Sequence, residues 1–206
     1  MYTYTPTTLD AFDIPHKEIL QPFTNTLLLG HEQTGKTTLA NILARRAQPL
    51  KDRVMYIHSL NDKGIQYYRT EVKYFCQTTF LHKIIVVDGL DNMNDQTQQI
   101  FLNYMNRFRH TTSFIITGSN PQKIIEGLYS QCIIVHMNPA SDAYIKSLMD
   151  RVVEQEHINI THDAMLHLMY ITKNSIRSIL NYLEKYKIIN LPITKAYIQH
   201  TYTISP

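Results

Sequence analysis

Apolar and polar positions run in blocks along the first two thirds of the chain. Thr26-Leu27-Leu28-Leu29 is a short apolar run closed by Gly30, the pattern of a buried strand. Across 37–46, Leu39, Ile42 and Leu43 recur at the helical period. Residues 53–59 predict a second strand, and 64–77 a helix, with Ile65, Tyr68, Val72 and Phe75 spaced by threes and fours. Residues 83–87 (KIIVV) give the strongest strand signal, continuous and β-branched, ending at Asp88. A stripe of Phe101, Tyr104, Met105 and Phe108 predicts a helix over 96–108; 113–117 and 132–135 predict two further strands with a short helix between them. Strands alternating with helices imply parallel pairing and an α/β core.

Past Asn138-Pro139 the character changes. Residues 141–156, 161–172 and 174–186 are successive amphipathic patterns with no strand between them, and a shorter one covers 193–200. This predicts a boundary near 138, with an α/β domain over 1–138 and a small all-helical domain over 139–206. Residues 1–25 are polar and punctuated by proline, with a short apolar staple at Leu9 and Phe12. No internal repeat is visible.

Composition narrows the class. Hydrophobic residues make up 44% and charged residues 18% of the 206, which fits a chain with a real core and argues against a disordered one. Lys+Arg 20 against Asp+Glu 17 gives a formal +3, which permits nucleic-acid contact without demanding it. Cys76 and Cys132 are too few for a disulfide framework or a thiolate zinc site, and their apolar neighbours predict free thiols in a reducing compartment. No stretch approaches the ~20 apolar residues needed to span a bilayer, and Met1-Tyr2-Thr3-Tyr4 lacks the regions of a signal peptide. The expectation is a soluble intracellular protein without a membrane partner.

Chemistry enters at Gly30-His31-Glu32-Gln33-Thr34-Gly35-Lys36-Thr37, which fits G-x-x-x-x-G-K-[ST] between a strand and a helix. In that setting backbone N–H groups and the positive helix end wrap phosphates. Gly35 keeps a side chain out of their way, Lys36 reaches the β- and γ-oxygens, and the Thr37 hydroxyl ligates Mg²⁺. Thr38 adds a contact to the α-phosphate, whereas His31 reads as an exposed filler. The magnesium shell also needs an acid at the end of a buried strand, and Asp88 is that residue. Asp91, three residues on, is open between a catalytic role and a turn or cap.

These residues resemble the AAA+ clamp-loader family, the replication factor C small subunits and their bacterial relatives. Tyr4-Thr5-Pro6-Thr7-Thr8-Leu9-Asp10 resembles the family's N-terminal segment, which packs by the nucleotide base and so implicates Tyr4 and Pro6. Asn61-Asp62-Lys63-Gly64-Ile65 is similar to its turn after the second strand, and Asp88-Gly89-Leu90-Asp91 stands in place of its acidic box. Lys123-Ile124-Ile125-Glu126 and Ser130-Gln131-Cys132 match two later motifs. By register the sensor 1 position falls on Ser119, with Asn120 beside it; 175–180 resembles the segment carrying the sensor 2 arginine, here Arg177. The resemblance implies a P-loop AAA+ core with a central parallel sheet, a helical lid, Mg·ATP between them, neighbouring AAA+ subunits in an oligomer, and DNA and a sliding clamp as partners.

The departures carry equal weight. The family's catalytic glutamate is Gly89 here, and its arginine finger is Gln131, a neutral amide. The family also continues past the lid into a helical collar. Its arginine-bearing central helix reads Phe101-Leu102-Asn103-Tyr104, and basic residues cluster only at Arg107, Arg109 and His110, with Lys123 expected nearby. That cluster is open between a DNA contact and a solvated helix end. The expectation is a reduced clamp-loader subunit, an ATPase of DNA replication with weak or partner-dependent hydrolysis. A nucleotide-locked adaptor subunit is the first alternative and an initiator or helicase loader the second. A small-molecule kinase is disfavoured by the scarcity of arginine in the C-terminal half.

Overall fold

The computed structural model describes residues 4–12, 20–59, 64–80, 82–189 and 191–203. Asn61, Asp62 and Lys63, three of the residues carrying the predicted turn, lie outside them. Five strands form one parallel sheet: β1 (Thr26–Leu29), β2 (Val54–His58), β3 (Lys83–Asp88), β4 (Thr112–Gly118) and β5 (Ile133–His136), in the order β2-β3-β4-β1-β5. Alternation along the strands sends successive side chains to opposite faces. Leu27, Leu29, Ile85, Val87, Phe114 and Ile116 join one core cluster, and Leu28, Ile84, Val86 and Ile115 the other.

Helix α1 (Lys36–Ala47) covers the second face through Leu39, Leu43 and Ala44, with Leu9 and Leu20 alongside. Helix α4 (Asp95–Arg107) covers the first through Phe101, Tyr104 and Met105. Both faces of the central strands are therefore dry, which is why their sequences read as continuous apolar runs. The helix predicted over 64–77 is interrupted. It begins as α2 (Gly64–Tyr67), widens into a π-helical stretch over Tyr68–Val72, and ends as α3 (Lys73–Gln77). Within that stretch the Tyr104 hydroxyl donates to Tyr68 O at 3.1 Å, a side-chain donor entering the helix's own hydrogen-bond ladder. A one-turn helix, α5 (Glu126–Tyr129), precedes β5.

Two compact units divide the chain: Pro6–Asn138, and Pro139 onward together with Tyr4 and Thr5. The second unit contains α6 (Asp142–Gln155), α7 (His162–Ile171), α8 (Ile176–Ile189) and α9 (Lys195–Thr203). Its core is Ile145, Leu148, Val152, Leu168, Ile179 and Leu183, with Ile193 and Ile198 from the last turn and helix. Ser141 and Thr161 cap α6 and α7 by accepting from the backbone of Tyr144 and Ala164. Tyr4, expected with the α/β domain, sits in this helical unit. Its hydroxyl donates to Glu156 Oε1 at 2.9 Å, and Lys187 Nζ donates to Glu156 Oε2 at 2.5 Å. No described helix is long and apolar enough to cross a membrane.

Lys83 is fully buried at the start of β3, although a lysine opening a strand reads as a surface residue. Its ammonium donates to Cys76 O at 2.6 Å, Thr78 O at 2.7 Å and Thr78 Oγ1 at 3.2 Å, closing the C-terminal end of α3. Burial pushes its pKa below the usual lysine range. Lys83→Met leaves two carbonyls without their donor and is expected to cost about 2 to 4 kcal/mol, read as a lower urea midpoint with an unchanged slope. Both cysteines are free; burial pushes the Cys76 thiol up to about 11 and the Cys132 thiol to about 12. Raised values keep both protonated at neutral pH, so iodoacetamide labelling of the folded protein should stay slow up to about pH 9. Unfolding in urea should release it.

Candidate phosphate-binding site

Strand β1 ends at Leu29 and α1 begins at Lys36, so the loop between them crosses the C-terminal edge of the sheet. Two residues turn it through left-handed backbone, Gln33 at φ 66° and Gly35 at φ 89°. Gly35 is needed twice over, because a Cβ there would also lie 3.0 Å from the Phe12 ring. Thr34 Oγ1 donates to His31 O at 2.9 Å and tightens the loop. Lys36 folds back across it, donating to Gly30 O at 2.8 Å and His31 O at 2.5 Å. Its side chain is largely buried, which pushes the ammonium's pKa down; Asp91, Asp88 and Glu32 oppose that shift. The first N–H groups of α1 have no intrahelical acceptor and present a positive end to the loop.

Asp88 is the centre of the site. Thr37 Oγ1 donates to its two oxygens at 2.9 and 3.2 Å, and Thr117 Oγ1 donates to Oδ1 at 2.6 Å. The Thr117 hydroxyl in turn accepts from Gly89 N at 2.9 Å. His58, in register with Asp88 across the β2–β3 pair, places Nδ1 3.5 Å from Oδ2. A carboxylate and a hydroxyl are hard oxygen donors of the kind Mg²⁺ takes, so Thr37 and Asp88 fit that ion.

Asp91 lies in the turn after β3. Its Oδ2 accepts from Asn120 N at 3.0 Å, while Oδ1 is buried with no partner. Asn120 thus meets Asp91 through its backbone, and its side chain caps the next turn by accepting from Gln122 N at 3.0 Å. Ser119 and Thr38 are half-buried, and His31, Glu32, Gln33 and Gln131 are exposed. Pro6 is half-buried where the α/β unit begins. Tyr4 and the exposed Arg177, on the first turn of α8, belong to the helical unit. The α/β unit by itself therefore gathers the loop, Lys36, Thr37, Asp88, Asp91 and Asn120.

The basic cluster is smaller than expected. Lys123 O accepts from Gln98 Nε2 at 2.7 Å in the first turns of α4, whereas Arg107 closes that helix nine residues later, about 13 Å along the axis. Lys123 is therefore not part of it.

Three participants were not identified in the sequence. Thr117 is a polar residue closing an apolar strand, a weak signal in hindsight. His58 closes β2 in the same way. Gln98 is fully buried: its amide nitrogen donates to Met93 O at 3.0 Å and Lys123 O at 2.7 Å, and its oxygen accepts from Ile125 N at 3.0 Å. One side chain thereby joins the turn after β3 to the turn after β4.

The profile of the ATPase family associated with various cellular activities (AAA) matches residues 26–138. Among curated proteins, the replication factor C small subunit of Staphylothermus marinus is 29% identical over 196 residues, covering 88% of this chain and 59% of that one. Replication factor C subunit 4 of Saccharomyces cerevisiae is 26% identical over 165 residues, covering 77% and 51%. The chain thus spans between 51% and 59% of the length of these relatives. Among solved structures, the Thermotoga maritima RuvB Holliday junction branch migration motor superposes with a TM-score of 0.75 at 14% identity, covering 98% of this chain and 72% of that one. The fold is that of a P-loop AAA core with a helical unit after it, as the resemblance implied.

Position 89 tests how tightly the site is built. Gly89 has φ 77°, and a Cβ there would stand 2.5 Å from Ser59 Oγ. Gly89→Glu should therefore cost about 1 to 2 kcal/mol from backbone strain alone. A thermal melt against wild type checks it.

Proposed function

Because the chain belongs to the ATPase family associated with various cellular activities (AAA), we propose that it binds Mg·ATP on the 30–38 loop and acts in DNA replication as a clamp-loader-like subunit. The observation that carries the binding is the meeting of Thr37 Oγ1 and Asp88 Oδ1 at 2.9 Å beside Lys36. A hydroxyl from the helix after the loop and a carboxylate from a separate strand converge where the metal of a nucleotide complex is held. Thr37 and Asp88 would hold Mg²⁺, whose charge offsets that of the β- and γ-phosphates. Lys36 exchanges the carbonyls of Gly30 and His31 for phosphate oxygens, and the loop N–H groups orient the chain of phosphates.

We assign Arg177 of the helical unit to the phosphates, and Tyr4 of the same unit with Pro6 of the α/β unit to the base. Residues 1–138 and 139–206 are then the nucleotide-binding domain and its lid, with Tyr4 tied to the lid through Glu156. The replication role rests on the replication factor C relatives. It brings other AAA subunits, DNA and a sliding clamp as partners. Hydrolysis is weak or partner-dependent in this reading, since no acid follows Asp88 directly and Gln131 carries no charge. Those same two positions favour a second reading, in which bound ATP locks an adaptor subunit without turnover.

Calorimetry with Mg·ATP, beside phosphate release with and without primer-template DNA, tests both. Lys36→Ala is expected to weaken ATP binding more than about tenfold, or about 1.4 kcal/mol. A wild-type chain that binds no Mg·ATP would sink the proposal. Binding without release, with partner subunits present as well as DNA, would select the adaptor.

A further inference from the structure

Hydrolysis of a bound triphosphate needs an acceptor that holds the attacking water in line with the γ-phosphorus. At the ends of β2 and β3 and in the turn after β3, among the described residues, Asp88, Asp91 and His58 each carry a carboxylate or an imidazole. Asp88 is committed, since Thr37 and Thr117 both donate to it. Asp91 is sealed, with Oδ2 on Asn120 N and Oδ1 shut away from solvent. His58 differs from both. Half of its side-chain surface is open, 50%, and Nδ1 faces Asp88 Oδ2 at 3.5 Å. An imidazole with Nδ1–H turned to a carboxylate leaves Nε2 as an acceptor on the opposite side of the ring.

The neighbouring backbone fixes this arrangement. Ser59 N donates to Asp88 O at 3.0 Å, which holds the end of β2 against the end of β3. The Ser59 hydroxyl stands 2.5 Å from where a Cβ at 89 would be, and Asn92 Nδ2 donates to it at 3.4 Å. Space that a side chain at 89 would use is thus filled by Ser59, the residue after β2. The residue preceding Ser59 is His58, whose side chain stays half open.

We propose that His58 is a catalytic residue of this ATPase, its Nε2 accepting a hydrogen bond from the water that attacks the γ-phosphorus. The inference rests on the Mg·ATP reading above and assigns the part that Gly89 cannot play. In the step, the water oxygen bonds to the γ-phosphorus. The bond from that phosphorus to the bridging oxygen breaks, its electron pair leaving with ADP. Both water protons depart on the released phosphate. His58 orients the water and ends the step unchanged, and Asp88 holds the ring through Nδ1.

The test uses the full chain with His58→Ala and His58→Gln, each checked by thermal melt. His58→Ala should lower kcat about 100-fold with ATP affinity within about twofold of wild type. Calorimetry supplies a readout apart from turnover: affinity for Mg·ADP with aluminium fluoride should fall in His58→Ala while affinity for Mg·ADP alone holds. His58→Gln, which keeps an acceptor on a side chain of similar reach, should recover part of both losses. Wild-type kcat in His58→Ala would overturn the proposal, as would equal loss of affinity for Mg·ADP and its fluoride complex. A wild type that binds Mg·ATP yet releases no phosphate, even with primer-template DNA and partner subunits, overturns this inference alone. Absence of Mg·ATP binding overturns the underlying reading as well.

Discussion

One carboxylate with two hydroxyls turned toward it, Asp88 between Thr37 and Thr117, fixes this edge of the sheet. Those bonds tie the first turn of α1 to β3 and β3 to β4, so loop and sheet hold one geometry. The opposite end of β3 is fixed by Lys83, whose ammonium is taken by carbonyls at the C-terminal end of α3. Between them lie Ile84, Ile85, Val86 and Val87, all buried. A strand so uniformly apolar has little of its own to set its register, because either face suits the core. Polar atoms at its two ends supply what the middle lacks: a slip of one residue would carry Asp88 away from both hydroxyls and Lys83 away from its acceptors.

The same reasoning says what was legible in the sequence. The loop was legible because glycine, lysine and threonine act there at fixed spacing, and one chain segment holds them all. Asp88 was legible because an acid ending a β-branched run has few other places to be. Thr117 and His58 were not, because their meeting with Asp88 depends on strand order, and β3 lies between β2 and β4 for reasons no local periodicity records. The separation of Lys123 from Arg107 was hidden in the same way: both flank α4, but at opposite ends. Tyr68–Val72 kept apolar residues at helical spacing through a widened turn, so the pattern could not reveal the change of helix type.

Buried polarity is concentrated where turns must be held. Gln98 spends all of its amide on backbone groups from two turns, and the Asp91 carboxylate joins the same two by accepting from Asn120 N. Such groups are costly to bury unless bonded, and each bond they make restricts the chain that provides it. The turns after β3 and β4 are therefore shaped from beneath, by side chains of α4 and of the first turn itself. Residues facing outward are left free to differ. That division lets a chain keep an intact loop, Thr37 and Asp88 while carrying glutamine at the exposed position 131.

The bond between Tyr4 and Glu156 joins residues 152 apart in sequence, and Lys187 completes it from farther still. A ribosome delivers the chain from its N-terminus, so Tyr4 emerges long before either partner exists. The α/β unit, whose last residue is Asn138, has all of its strands available, and Leu9 can pack into it, while Tyr4 still lacks both partners. Only when α6 and α8 have left the exit tunnel can Tyr4 meet both partners, which makes its docking a late event in biosynthesis.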